Sequence, residues 1–247
     1  MSTRSPKPSI AELRAVGQPA SIFARNSGEH WAGRLYVRRV SPYVTRVLLR
    51  TPLSANAVTW LMIAVGVAAA ALLAIDQTWT AIAAVVLIQG QILLDCCDGE
   101  IARWRETYSP LGIYLDRLGH YSTETLFPIA LGIRCDKVTL GLVAALLVLT
   151  VRVESALVAV ARLESGLGKG EDTAEAAAPT VAPLAVLKRS VALFPLFRMF
   201  VAVEASVVAL VFVLLDEVDA LVTAMVPIAG LTAAGRLLAI ITSARLR

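Results

Sequence analysis

The chain has 247 residues, a formal net charge of +4, 57% hydrophobic residues and only 17% charged ones, with a mean hydropathy of +0.71. An ordinary soluble domain carries about 45–50% apolar and about 25% charged residues, and the apolar excess here is gathered into long runs. This excludes a soluble globular domain and predicts an all-α polytopic membrane protein, with the lipid bilayer as a partner and no nucleic acid.

Residues 1–28 are polar, contain Pro6, Pro8 and Pro19, and are expected to form a flexible cytoplasmic N-terminus. No cleavable leader is expected, because the first apolar run begins only near Ala57. Residues 29–55 interleave Leu35, Tyr36, Val40, Tyr43 and Val47 with Arg34, Arg38, Arg39, Arg46 and Arg50. That pattern predicts an interfacial amphipathic segment on an anionic cytoplasmic leaflet, broken at Ser41-Pro42 because proline lacks the helical N–H. Residues 56–247 read as one transmembrane domain. Apolar stretches near 57–75, 79–97, 110–133, 138–161, 190–215 and 219–243 each hold about 20 residues, the length that crosses a hydrocarbon core about 30 Å thick. Only a helix satisfies its own backbone there, so about six transmembrane helices are predicted. Residues 164–183 are rich in Gly, Ala, Glu and Pro and read as a flexible cytoplasmic loop.

Seventeen of the 23 Lys and Arg residues fall before residue 57, in 98–109, in 162–189 or after 243, whereas only Arg134 and Lys137 fall in the opposite connections. The positive-inside rule then places both termini in the cytoplasm. Cys96, Cys97 and Cys135 lack the spacing of a disulfide framework or zinc site and read as small apolar helix residues.

The chemistry concentrates in residues 95–120, DCCDGEIARWRETYSPLGIYLDRLGH. Asp95 and Asp98 project from one helical face at the cytoplasmic end of the second span; Ala102 continues that face and Gly99 sits beside it. Two carboxylates with two small residues suit a metal-bound diphosphate whose base approaches the backbone closely. Asp116 lies on the next span, with Gly112 one turn before it and His120 one turn after it. Carboxylates in a membrane helix are costly and usually mark function. Three that converge repel one another unless cations lie between them, and oxygen ligands with room for phosphate favour Mg²⁺ or Mn²⁺. The plainer alternative is ion pairing with buried arginines.

The run Asp95-x2-Asp98-Gly99-x2-Ala102-Arg103-x8-Gly112-x3-Asp116 resembles the signature of the CDP-alcohol phosphotransferases. Seven residue types at fixed spacing arise by chance on the order of once in 10⁸ windows. Pro52 and Asn56-x2-Thr59 resemble the stretch entering that family's first span, so the resemblance covers residues 30–133. It implies a CDP-alcohol donor, a hydroxyl acceptor, two divalent metal ions in a cavity open to the cytoplasm, and a homodimer. The implied reaction is attack of the acceptor on the β-phosphorus with release of CMP, in phospholipid or related polar-lipid synthesis. The protein would be integral to a membrane, the plasma membrane in a bacterium. By the same resemblance Asp95, Asp98 and Asp116 are metal ligands. Gly99, Ala102 and Arg103 would line the cytidine-diphosphate site, with Asn56, Thr59, Asp98 and Gly112 as further nucleotide-binding candidates.

The family's motif ends on a fourth Asp, and this chain has His120 there. Three readings stand open: His120 as general base beside Asp116, His120 as metal ligand, or a homologue that binds nucleotide without turnover. Glu124, one turn further, either orients His120 from behind or pairs with a buried arginine. Arg152, Arg198 and Arg236 lie on three spans about 10–14 Å from the cytoplasmic end. They are expected to hold an anionic group on the acceptor, or else to pair with Glu124, Glu154 or Glu204. The segment RLYVRRVSPYVTRVLLRTP resembles the subgroup that transfers onto inositol phosphate, which favours a polyol or polyol phosphate acceptor. A membrane prenyltransferase would need a second Asp-rich motif, and a transporter would show Gly/Pro-broken segments in two halves.

Overall fold

The computed structural model describes residues 4–5, 7–19, 32–166 and 202–242. The regular elements among them are all helical: α1 (Ile10–Gly17), a π-helical turn (Gly33–Val37) running into α2 (Arg38–Leu48), α3 (Ala55–Leu73), α4 (Thr78–Arg105), α5 (Pro110–Arg134), α6 (Val138–Glu164), α7 (Ala202–Leu214) and α8 (Val218–Thr242). The chain is an all-α integral membrane protein, in which α3, α4, α6 and α8 are long and apolar enough to cross a bilayer. Helix α5 has comparable length, 25 residues, but carries the charged groups of the motif. Of the stretch expected at 190–215, residues 202–214 form α7, while 190–201 and most of the expected 164–183 loop lie outside the described residues.

Local chemistry sets the helix ends that matter for the site. Ser54 caps α3 by accepting the Ala57 N–H at 3.1 Å, and Ser109 caps α5 by accepting the Gly112 N–H at 3.0 Å. Pro110 follows that cap, where its missing N–H costs nothing. Helix α4 stops at Glu106, whose φ of 57° is left-handed, and the Thr107 N–H returns to the Ala102 carbonyl at 3.0 Å. The short turn from Glu106 to Ser109 reverses the chain, and with α3 packed on both α4 and α5 the two carboxylate-bearing stretches face each other.

Apolar helices in lipid gain little from hydrophobicity when they meet, so small residues and polar contacts decide their packing. Helix α3 packs on both α4 and α5, and Gly66 is a point of close approach to both: a Cβ there would collide with Thr123 and Gln91. Above it Gln91 Nε2 donates to Thr123 Oγ1 at 2.7 Å in a buried setting. Between α5 and α6, a Cβ on Gly132 would stand 2.9 Å from the Gly141 Cα, and one on Gly141 2.7 Å from the Pro128 carbonyl oxygen.

Two expectations for the N-terminal part are corrected. The stretch read as a flexible tail contains α1, started by a reciprocal capping box. Ser9 Oγ accepts the Glu12 N–H at 3.2 Å, and the Glu12 carboxylate accepts the Ser9 N–H at 2.7 Å. Leu13 is 1% exposed and packs with Leu49, Val58, Ile101 and Trp104. The break expected at Ser41-Pro42 does not occur either, because α2 runs through Pro42. Proline leaves the carbonyl four residues back without its N–H partner, and that carbonyl, Arg38 O, accepts from Gln18 Nε2 at 2.8 Å instead. Helix α2 buries Ser41 and Thr45 and leaves Val40, Tyr43 and Val47 exposed. An outward apolar face is what an interfacial helix offers to lipid.

Replacing Gly141 by Leu forces a side chain against the Pro128 carbonyl, which cannot turn aside. The expected outcome is a loss of about 1–3 kcal/mol or more, read as a lower Tm in detergent. Gly235→Ala, with open space at the Cβ position, is expected to leave Tm unchanged.

Candidate active site

The α4–α5 hairpin brings Asp95 opposite Asp116 and His120. His120 Nε2 lies 3.0 Å from Asp95 Oδ1 and 3.6 Å from Asp116 Oδ1. One ligand atom from each of these three partly buried residues falls within 4.8 Å of the others. Two carboxylate oxygens and an imidazole nitrogen from two helices, facing one point, suit a divalent cation that accepts mixed oxygen and nitrogen ligands. Asp98 stands apart from this trio. It is 8% exposed, and its Oδ2 accepts from Thr59 Oγ1 of α3 at 2.6 Å.

Asn56 sits one turn before Thr59 and reaches the start of α5. Its Oδ1 would be 3.0 Å from a Cβ on Gly112, and its Nδ2 donates to Ser109 Oγ at 3.4 Å. Any side chain at Gly112 would therefore displace Asn56. A cavity of about 250 Å³ opens at this end, lined by Ser54, Ala55, Asn56, Arg105, Thr107, Tyr108 and Ser109. Arg105 closes one wall by donating to the carbonyls of Thr51 at 3.1 Å and Leu49 at 3.3 Å, and to that of Leu53. Ala102 is half-buried, packed toward the cluster around Cys97 and Ile101. Arg103 folds back over Gly99, its Nη2 and Nη1 standing 2.9 and 3.0 Å from where a Cβ would be.

The arginines sit beside acids. Glu124 is 3% exposed and forms a two-point ion pair with Arg152, so its carboxylate is directed to α6. Arg236 lies 3.9 Å from Glu154 and donates to Ser155 Oγ. Arg198 lies outside the described residues.

Motif reasoning passed over Glu100, which occupies a free position in the spacing pattern. It is 1% exposed and accepts from Ser41 Oγ at 2.5 Å, Thr45 Oγ1 at 2.6 Å and Gln18 Nε2 at 2.8 Å. A charged residue at a position the motif leaves free was the available signal. The cavity residues Thr107, Tyr108 and Ser109 fall in the x8 gap, where spacing says nothing of their role.

Membrane-length apolar helices thus carry a carboxylate–imidazole cluster between α4 and α5, and a small cavity lies at the start of α3 and the α4–α5 turn. The chain belongs to the CDP-alcohol phosphatidyltransferase family, whose model matches residues 53–226. That family transfers a phosphatidyl group from a CDP-alcohol to an alcohol acceptor in a membrane, and is generally dependent on divalent metal ions. Among curated proteins, none matches the chain.

Arg152→Met leaves the buried Glu124 carboxylate without its cation. Breaking such a pair costs about 3–5 kcal/mol, and the partial exposure of Arg152 sets the expectation at the lower end of that range. The Glu124→Gln/Arg152→Met double variant is expected to recover most of the lost Tm.

Proposed function

We propose that the protein transfers a substituted phosphate group from a CDP-alcohol to a hydroxyl of a polyol or polyol phosphate, releasing CMP, in a metal-dependent step of polar-lipid synthesis. The carrying observation is the convergence of Asp95, Asp116 and His120 on one point in a chain of this family.

Asp95, Asp116 and His120, with Asp98 one turn along α4, are the residues that would hold Mg²⁺ or Mn²⁺. Such ions, when bound, neutralise the diphosphate and stabilise the leaving CMP. The missing side chain at Gly99 lets the Arg103 guanidinium lie against α4, where it meets the nucleotide's phosphates, and Asn56, Thr59, Ala102 and Gly112 border the same site. The acceptor oxygen forms a new bond to the β-phosphorus, and the bond to the CMP oxygen breaks with its electron pair leaving on CMP. The acceptor's proton passes to Asp116, the most open of the three at 47% side-chain exposure against 30% for His120 and 25% for Asp95. His120 takes the ligand role, because the nitrogen facing the cluster, Nε2, is the one turned to both carboxylates. In this reading the site and both termini face the cytoplasm, six helices span the bilayer, and the chain works as a homodimer.

A second reading, a catalytically silent CDP-alcohol-binding homologue, rests on His120 itself, which occupies the motif's fourth Asp position and engages Asp95 at 3.0 Å.

The test is CMP release by purified protein in lipid nanodiscs, with CDP-diacylglycerol and water-soluble CDP-alcohols as donors and inositol or inositol phosphate among the acceptors. The expected result is release that needs Mg²⁺ or Mn²⁺, falls about 10²–10⁴-fold in Asp116→Asn and His120→Ala, and returns in His120→Asp. Tight CDP-alcohol binding with no CMP from any pair would establish the silent reading.

A further inference from the structure

The family match begins at residue 53, so α1 and α2 lie outside it, yet both are bonded to the motif helix at Glu100 and Arg103. We propose that residues 10–18 are a positioning element of the nucleotide site, in which the Gly17 carbonyl fixes the Arg103 guanidinium over Gly99. This rests on the nucleotide-binding reading given above.

Arg103 Nε donates to the Gly17 carbonyl at 2.7 Å. With Nε so held, the two terminal nitrogens lie together over Gly99, 2.9 and 3.0 Å from its Cβ position. A diphosphate reaching α4 at its bare glycine meets the paired terminal amino groups of the fork, the geometry that binds phosphate at two points. A long side chain free in solvent must be ordered when the ligand arrives. One ordered beforehand by the protein spares that cost at the moment of binding.

The carbonyl is itself held in place. Gly17 is buried, and a Cβ there would stand 3.1 Å from Glu100 Cγ, so glycine is what allows the end of α1 to come down on α4. The next residue, Gln18, uses its amide to donate at 2.8 Å both to Arg38 O of α2 and to Glu100 Oε1 of α4. Upstream, Arg4 donates to the carbonyls of Arg103 at 2.9 Å and Trp104 at 3.2 Å and pairs with Glu106 at 2.9 Å. Trp104 Nε1 donates in return to the Ser5 carbonyl at 3.0 Å. Both ends of the N-terminal segment are thereby anchored to the last turns of α4, where orphan carbonyls need donors.

The test uses the full-length chain, CMP with Mg²⁺ as probe, and a double-mutant cycle. Gly17→Val, which pushes the carbonyl off α4, and Gln18→Ala are expected each to weaken CMP on the order of tenfold. In an Arg103→Lys background, which keeps a charge but has no Nε for the carbonyl to hold, neither is expected to weaken CMP further. Binding linkage requires the reciprocal effect: CMP should slow amide exchange in residues 10–18 of the unmodified protein, and less so in Arg103→Lys. That comparison needs no α1 variant and stands even if Gly17→Val fails to fold. Equal losses in both backgrounds, with CMP leaving exchange in α1 unchanged, would reduce α1 to a structural cap and overturn the proposal. Absence of CMP binding by the unmodified protein overturns the nucleotide reading instead, and α1 protection measured without CMP tells the two failures apart.

Discussion

The hydrogen bond from Gln91 to Thr123, seated over Gly66, ties α4 to α5 where α3 packs on both, and the site lies one turn away. Gln91 is one turn before Asp95, and Thr123 is close to one turn beyond His120. In a lipid-facing bundle a buried amide–hydroxyl contact finds no competing water, so it pins the register of two helices that otherwise meet mainly through α3. The 3.0 Å contact between His120 and Asp95 follows from that register and from the left-handed stop at Glu106.

Around this pair the charged groups are sorted by helix. The motif carboxylates and His120 face one another across α4 and α5. Glu124, on the same stripe of α5, is drawn to Arg152 of α6, which removes one negative charge from the surroundings of the cluster. Asp98 is held by the Thr59 hydroxyl. Each acid near the site therefore has a separate partner, and Asp95 and Asp116 remain as the carboxylates turned toward His120.

Much of this was legible in the chain. Hydropathy and length gave the all-helical membrane fold, and residue spacing gave the face of α4 and the facing residues of α5. Backbone rescue was not legible. The rule that proline breaks a helix failed at Pro42 because Gln18, far along the chain, supplies the missing donor, and no local pattern records that. Helix α1 escapes a local reading because polar, Pro-containing sequence reads as a tail, whereas a capping box, the buried Leu13 and the bonds of Gly17 and Gln18 to the motif helix dock its eight residues. The partners of Glu124 and Arg152 were foreseeable only as alternatives, since spacing places both at one depth without saying which neighbour each side chain faces.

The proposed reaction depends on a divalent cation held among Asp95, Asp116 and His120. Anomalous diffraction from crystals grown with Mn²⁺ and CMP locates that ion directly. A Mn²⁺ peak is expected within coordination distance of all three side chains, lost in Asp95→Asn/Asp116→Asn, with CMP phosphate oxygens beside it and within reach of the Arg103 guanidinium. A Mn²⁺–CMP complex seated elsewhere, with His120 still bonded to Asp95 and no metal between them, would contradict it.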